Sequence, residues 1–166
     1  YGLKFPSPLV GASFKADKNI LDMWLQMGIG SVIFKTVMKE ESIGNPRPRL
    51  QDVEINGDKG IFNSLGLPGP GIKKFSSDIK DHILWSYNRP LGISIGGDSI
   101  NDYVENIIQI HQSLLGHNYQ YFYELNISCP NTQNGQTICE EPTSLNDLLS
   151  LLKETILQPI SIKVSP

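Results

Sequence analysis

Short apolar runs alternate with helical spacing along most of this chain. Residues 8–13 (Pro-Leu-Val-Gly-Ala-Ser) read as a short buried strand. Residues 19–27 read as a helix, with Ile20, Met23, Trp24 and Met27 as its apolar positions and Gly28 as its stop. The β-branched and aromatic run 31–37 is a second strand. Residues 72–87 carry helical spacing up to Arg89-Pro90, where the proline biases its predecessor away from helix. Residues 91–95 form a third strand, and Asp98 or Ser99 caps a helix running to about Leu115, with Gly116 as its terminator. Residues 121–127 are a fourth strand. Thr143 or Ser144 caps a helix through Ile156, and residues 160–164 are a fifth strand. Buried strands alternating with helices predict an α/β fold on a parallel sheet.

One stretch breaks the rhythm. Residues 38–70 separate the second strand from the second helix, far more than an ordinary βα loop. Within them Asn56-Gly57 stands between 51–55 and 59–62, which predicts a hairpin with a tight turn. The following Asn63-Ser-Leu-Gly-Leu-Pro-Gly-Pro-Gly71 is too rich in glycine and proline for helix or strand. On the C-terminal side of a parallel barrel a long loop of this kind serves as a lid or a substrate wall, although an insertion without a role is as good a reading of length alone.

Composition narrows the classes. The chain has 166 residues, 39% of them hydrophobic, enough for one ordinary core. A net charge of -3 argues against a nucleic-acid footprint. No apolar run is long enough to span a bilayer, and no signal-peptide pattern opens the chain. Cys129 and Cys139 match no zinc or redox spacing, so both read as free thiols in a reducing, cytoplasmic setting. On that reading the sequon Asn126-Ile-Ser128 is accidental. His82, His111 and His117 share no metal-ligand spacing and read as surface residues, and no metal is expected.

The chemistry concentrates in Glu124-Leu-Asn-Ile-Ser-Cys-Pro-Asn-Thr132, which places a thiol, two amides and a hydroxyl at the C-terminal edge of the fourth strand. Parallel α/β folds build their sites at that edge. Amides that donate and accept suit a small, flat, polar ligand. Taken alone, the run reads more simply, with Cys129 an inert buried cysteine and Asn126 and Asn131 turn formers. The other strand ends tip the balance. Ala12-Ser13 closes the first strand and Lys35-Thr36 the second. Gly44-Asn-Pro-Arg-Pro-Arg49 and Asn63-Ser-Leu-Gly-Leu67 follow in the long loop, and Ile162-Lys-Val164 closes the fifth strand. In this order and spacing the motifs resemble the dihydroorotate dehydrogenase family, flavin enzymes built on a (β/α)₈ TIM barrel. The cysteine is similar to that of the cytosolic class 1 enzymes, where class 2 enzymes carry serine.

The resemblance implies oxidation of dihydroorotate to orotate in pyrimidine biosynthesis, with a proton leaving C5 and a hydride leaving C6 for FMN. Cys129 is then the general base. A free thiol titrates near about 8.5, so activity is expected to rise toward alkaline pH. Ala12, Ser13, Lys35, Thr36, Asn126 and Lys163 are expected at the FMN, with Lys163 near the N1/O2 edge of the ring. Lys35, Asn63, Ser64, Leu65, Gly66, Leu67, Asn126 and Asn131 are expected at the substrate. Arg47 and Arg49 are assigned to shaping the long loop, through salt bridges. Gly96-Gly97-Asp98 reads as a tight βα turn, and the aromatic run Tyr119 to Tyr123 as packing.

A (β/α)₈ barrel takes about 250 residues. The chain begins at Tyr1 and ends just after its fifth strand. The expectation is that residues 1–166 are the N-terminal portion of a single barrel domain, about its first five strands and four helices, with the excursion at about 38–70. The expected partners are a small-molecule substrate and the remaining barrel segment, in cis or as a second chain, and a homodimer is compatible. Two rival readings stand beside this one. A dihydropyrimidine dehydrogenase-like barrel is expected to carry histidine where this chain has Asn131. A binding protein would keep the barrel face without turnover.

Overall fold

The computed structural model describes residues 2–128 and 141–164. Five strands form one parallel sheet: β1 (Val10–Gly11), β2 (Ser31–Val37), β5 (Leu91–Ile95), β6 (Tyr121–Asn126) and β7 (Ile160–Lys163), in that spatial order. Between β2 and β5, strands β3 (Leu50–Ile55) and β4 (Asp58–Asn63) pair as a separate antiparallel hairpin. Each sheet strand lies beside its predecessor and the order never reverses. With right-handed crossovers, that order puts every connecting helix on one face and leaves the other face to turn inward. A doubly wound sheet would reverse its order and carry helices on both faces. The chain is therefore half of a barrel wall, the α/β architecture that the alternation predicts.

The two faces separate by chemistry. Val32, Phe34, Ile93, Ile95, Tyr123 and Leu125 join the apolar core under the helices. On the inward face, register sets Ile33 beside Gly92 and Gly92 beside Phe122, then Ser94 beside Glu124 and Glu124 beside Ser161, then Asn126 beside Lys163. Gly92 leaves the room that Phe122 fills: a Cβ there would come within 2.7 Å of the ring. Phe5 meets the same ring edge-on at 6.1 Å. The inward face thus runs from apolar at the N-terminal ends of the strands to polar at their C-terminal ends.

Helix α1 (Lys18–Gln26) is capped by Asp17, whose side chain accepts from Asn19 N at 2.8 Å. Its buried residues are Leu21 and Leu25, while Met23 and Met27 are exposed. The core stripe is thus displaced from the apolar positions that spacing suggests. An i, i+4 pattern fits either set, and the helix's seat on the sheet chooses between them. In α3 (Ile100–Leu114) Ser99 caps Asp102 N as expected, and Tyr103, Ile107, Ile110 and Leu114 are buried. Helix α4 (Pro142–Thr155) starts earlier than its expected Thr143 or Ser144 cap. Glu141 is the cap residue, Pro142 opens the first turn, and Ser144 Oγ donates back to Glu141 Oε2 at 2.9 Å. The first strand is likewise shorter than expected.

The expected helix over 72–87 is two elements. Helix α2 (Gly71–Ile79) ends, and a 3-10 turn follows over Ile83–Tyr87. His82 between them is extended, and its Nδ1 accepts from Leu84 N at 3.3 Å. Trp85 Nε1 donates at 2.6 Å to the carbonyl of Ile79, which also accepts from His82 N at 3.2 Å, sealing the end of α2. His82 is thus a half-buried cap beside Phe34, with ring centroids 5.1 Å apart, and not a surface residue. Burial first, and Lys18 second, hold its pKa below the ordinary value, with Asp78 opposing. The folded state therefore prefers neutral His82. This contribution is intact above about pH 6.5 and is lost as pH falls, because the unfolded chain takes up the proton first. Protonation at Nδ1 would also remove the acceptor for Leu84. His82→Gln is expected to flatten the fall in urea midpoint between about pH 7.5 and pH 5; a fall as steep as in the parent would remove His82 as its source.

Candidate active site

The polar end of the inward face gathers residues from four strands. Asn126 closes β6 with 5% of its surface exposed. Its Nδ2 donates to Thr36 Oγ1 of β2 at 3.0 Å, and Thr36 Oγ1 lies 3.0 Å from Ser94 Oγ of β5. Tyr103 of α3 donates its hydroxyl to the Asn126 carbonyl at 2.8 Å, fixing the strand end from the helix side. Lys163 of β7 stands opposite Asn126 in register and is half-buried. Below this layer, Ser13 Oγ donates to Glu124 Oε1 at 2.7 Å, linking the segment after β1 to β6.

Thr36 reaches this cluster through an irregularity. Strict alternation from Val32 and Phe34 would turn Thr36 to the helices and Val37 inward. The register of β2 against β5 shifts between Phe34 and Val37, so Val37 joins the core and Thr36 bonds to Ser94 and Asn126. Gly96 keeps the space clear, since a Cβ there would lie 2.9 Å from the Thr36 methyl. Of the other expected residues, Lys35 is half-buried with its amine 5.9 Å from the centre of the Phe14 ring. Ala12 is exposed, and its carbonyl accepts from Phe14 N at 2.7 Å.

The excursion is braced from within. Asn56 and Gly57 take φ values of 54° and 88° at the β3–β4 turn, the left-handed pair that such a turn requires. Asn45 Nδ2 donates to Ser64 Oγ at 2.9 Å, Asn45 N donates to Leu65 O at 3.1 Å, and Ser42 and Gly69 bridge through their backbones. Gly66 takes φ of 69° so close to this brace that a Cβ would lie 2.6 Å from Asn45 N. Arg49 braces the loop by donating to the carbonyls of Asn45 and Ile43, and among the described residues it makes no salt bridge. Arg47 makes no ion pair among the described residues; it lines a shallow groove with Pro48, Arg49, Leu50 and Leu65.

Pro68, Gly69 and Pro70 share a cavity of about 150 Å³ with Lys35 and Thr36. Gly66 and Leu67 line a second cleft of about 290 Å³ with Lys39, Gly97 and Asp102. Lys39 ties the base of the excursion to α3, bonding Asp102 at 3.0 Å and Glu105 at 2.9 Å, and these carboxylates hold its amine above the usual lysine range. Asn63 closes β4 opposite Leu50 and is exposed. Among the described residues, none of Asn63, Ser64 or Leu65 hydrogen-bonds to Thr36, Ser94 or Asn126. The structure therefore joins Thr36 to Asn126 and sets Lys163 beside them, while the loop residues stand apart. Cys129 and Asn131 lie outside the described residues.

Sequence reasoning missed Ser94 and Glu124. The available signal was a polar residue inside an otherwise apolar strand, which is costly without a partner. Among the described residues no group of three or more His, Cys, Asp or Glu is arranged to hold a metal ion, and no helix is long and apolar enough to cross a membrane.

Comparison with known proteins bears on this geometry. The sequence profile of the family described as Dihydroorotate dehydrogenase matches residues 1–166. The catalytic subunit of dihydroorotate dehydrogenase B (NAD(+)) from Malacoplasma penetrans is 30% identical over 99% of this chain and 52% of its own length. Dihydroorotate dehydrogenase A (fumarate) from Lactobacillus helveticus is 30% identical over 83% of this chain and 43% of its own. The crystal structure of Eimeria tenella DHODH in complex with ferulenol superposes with a TM-score of 0.73 at 19% identity, over 99% of this chain and 50% of that one. The chain spans about half the length of the curated relatives it matches.

Proposed function

The chain belongs to the dihydroorotate dehydrogenase family, and on that premise we propose that it supplies one half of a flavin-dependent site that oxidises dihydroorotate to orotate for pyrimidine biosynthesis. The observation that carries this reading is the 3.0 Å bond from Asn126 to Thr36, which unites two expected ligand contacts from strands distant in sequence at the polar end of the inward face. The donor set fits FMN. A ring with alternating N–H and C=O edges asks for amides and hydroxyls that are desolvated but not fully saturated, together with a nearby cation. Asn126, Thr36 and Lys163 are of those types.

In this proposal Thr36, Asn126 and Lys163 hold the flavin with Ala12, Ser13 and Lys35. Asn126 also reads the substrate, with Asn131 and the segment Asn63 to Leu67. The bound FMN supplies a hydride acceptor. Cys129 removes the C5 proton of dihydroorotate, and Lys163 offsets negative charge at the ring edge by a fixed cation. Residues 38–70 wall the site and exclude water. The remaining half of the barrel covers the two terminal strands, β1 and β7, where Val10, its neighbour Leu9, and Ile162 are exposed apolar residues. Cytoplasmic location belongs to the same reading.

The visible absorption spectrum of the purified protein, taken before and after anaerobic addition of dihydroorotate, tests the proposal. A flavin spectrum that bleaches is the expected result. Protein that holds FMN and does not bleach would overturn the activity. Protein that never takes up FMN, even with the rest of the barrel present, would overturn the cofactor assignment and leave the binding-protein reading.

A further inference from the structure

We propose that Lys39 is a positioning residue, an ionic latch that holds the base of the 38–70 excursion against α3 and so sets where Gly66 and Leu67 stand. Its consequence for ligand rests on the reading above that this excursion walls the site. Lys39 follows the end of β2 closely, and its Nζ donates to Asp102 Oδ1 at 3.0 Å and to Glu105 Oε2 at 2.9 Å. The two carboxylates stand three positions apart on α3, the spacing that brings side chains to one helix face. Asp102 is the firmer half. Its Oδ2 accepts from Asp98 N at 3.3 Å and its own N–H donates to the Ser99 cap, so the latch closes on a fixed first turn.

Among the described residues, the rest of the excursion bonds to itself or to the start of α2. Ser42 and Gly69 pair through their backbones, Asn45 holds Ser64 and Leu65, and Arg49 holds Ile43 and Asn45. The Lys39 carbonyl accepts from Ile72 N at 3.2 Å. These bonds make one stiff piece on a two-armed neck, and the Lys39 ammonium joins that piece to α3. Ser42 Oγ donates to Gly66 O at 3.3 Å, so the outgoing arm carries the returning one with it.

Charge gives the latch more force than an isolated surface pair. The cleft of about 290 Å³ beside Gly66 and Leu67 is lined by Lys39 and by four carboxylates, Glu40, Glu41, Asp98 and Asp102. Without the ammonium, Glu40 and Glu41 on the neck repel Asp98 and Asp102 at the start of α3, and the neck moves away from the helix. The wall then opens and closes with ionic strength, because the latch is solvent-exposed and salt screens it.

The test compares the parent, Lys39→Met and Lys39→Arg in the FMN-loaded protein with its whole barrel. It reads amide hydrogen exchange by mass spectrometry, and KM and kcat for dihydroorotate. At low salt Lys39→Met is expected to speed exchange across residues 40–70 about fivefold, the upper end for an exposed ion pair, and to leave β5 unchanged. KM is expected to rise by a similar factor with kcat held, and Lys39→Arg to behave as the parent. At about 1 M salt, where charges are screened within about 3 Å, parent and Lys39→Met are expected to converge. Unchanged exchange over 40–70 would overturn the latch. So would an acceleration equal at low and high salt, the mark of lost stem packing and not of charge. Faster exchange with an unchanged KM would overturn its link to the wall. If Lys39→Met does not fold, Glu105→Gln removes one partner charge and must show the same salt-sensitive acceleration. If the protein binds no FMN, the flavin reading falls on its own, and exchange alone decides the latch.

Discussion

Cys129→Ser in the FMN-loaded protein is expected to lower dihydroorotate oxidation by roughly 10²–10⁴-fold while the flavin stays bound, the range over which a positioned general base contributes. The reason is acidity. A free thiol ionises near about 8.5, so part of it is thiolate at neutral pH, whereas a hydroxyl needs much stronger activation to serve. The same argument gives the sign of the pH profile. With Cys129 as the proposed base, the thiolate would be the active form, and the parent rate is expected to climb through the thiol range and level off above it. Stopped-flow reduction of the bound flavin isolates this step from electron exit. A variant that reduces its flavin as fast as the parent would remove Cys129 from the base role. A parent that never reduces its flavin with dihydroorotate, while binding orotate normally, would favour the binding-protein alternative.

Leu125→Ala is expected to cost about 2–5 kcal/mol of stability, the span for a leucine whose loss leaves a cavity in a packed core. Leu125 is 0% exposed on β6, between Glu124 and Asn126, and belongs to the cluster under the helices. Its side chain therefore presses this inner strand into place from the face opposite the site. The control is Leu157→Ala. That leucine is 98% exposed and its loss should stay within about 0.5 kcal/mol. Urea unfolding of both variants reads the difference directly; equal midpoints would mean that β6 is not packed as described. Because total stability is only about 5–15 kcal/mol, the loss at Leu125 is also expected to reduce soluble yield.

Much of the architecture was legible in the chain. Strands β2, β5 and β6 are short runs rich in β-branched and aromatic residues and buried along almost their whole length, and such runs announce themselves. The β3–β4 hairpin followed from Asn56-Gly57, where two adjacent left-handed residues leave few alternatives. The cap at Ser99 was equally local. What failed was also local in form but decided at a distance. Spacing in α1 allowed either of two apolar stripes, and the sheet selected Leu21 and Leu25. Helical spacing over 72–87 continued past Ile79, yet Trp85 turned back to seal that end and His82 became a cap.

The candidate site divides along the same line. By itself the sequence determined that polar and reactive groups (Ser13, Lys35, Thr36, Asn126, Lys163 and the Cys129 run) close successive strands, because strand ends are marked by where apolar runs stop. It also determined the order of those strands along the chain. Only the tertiary structure decided which of these groups meet. The register shift in β2 turns Thr36 inward, Ser94 completes its bonding from β5, and Glu124 takes the Ser13 hydroxyl from 111 residues away. Periodicity records what each residue does with its own backbone. Hydrogen-bond partners across a sheet depend on register, and a shift of one residue exchanges the two faces of a strand.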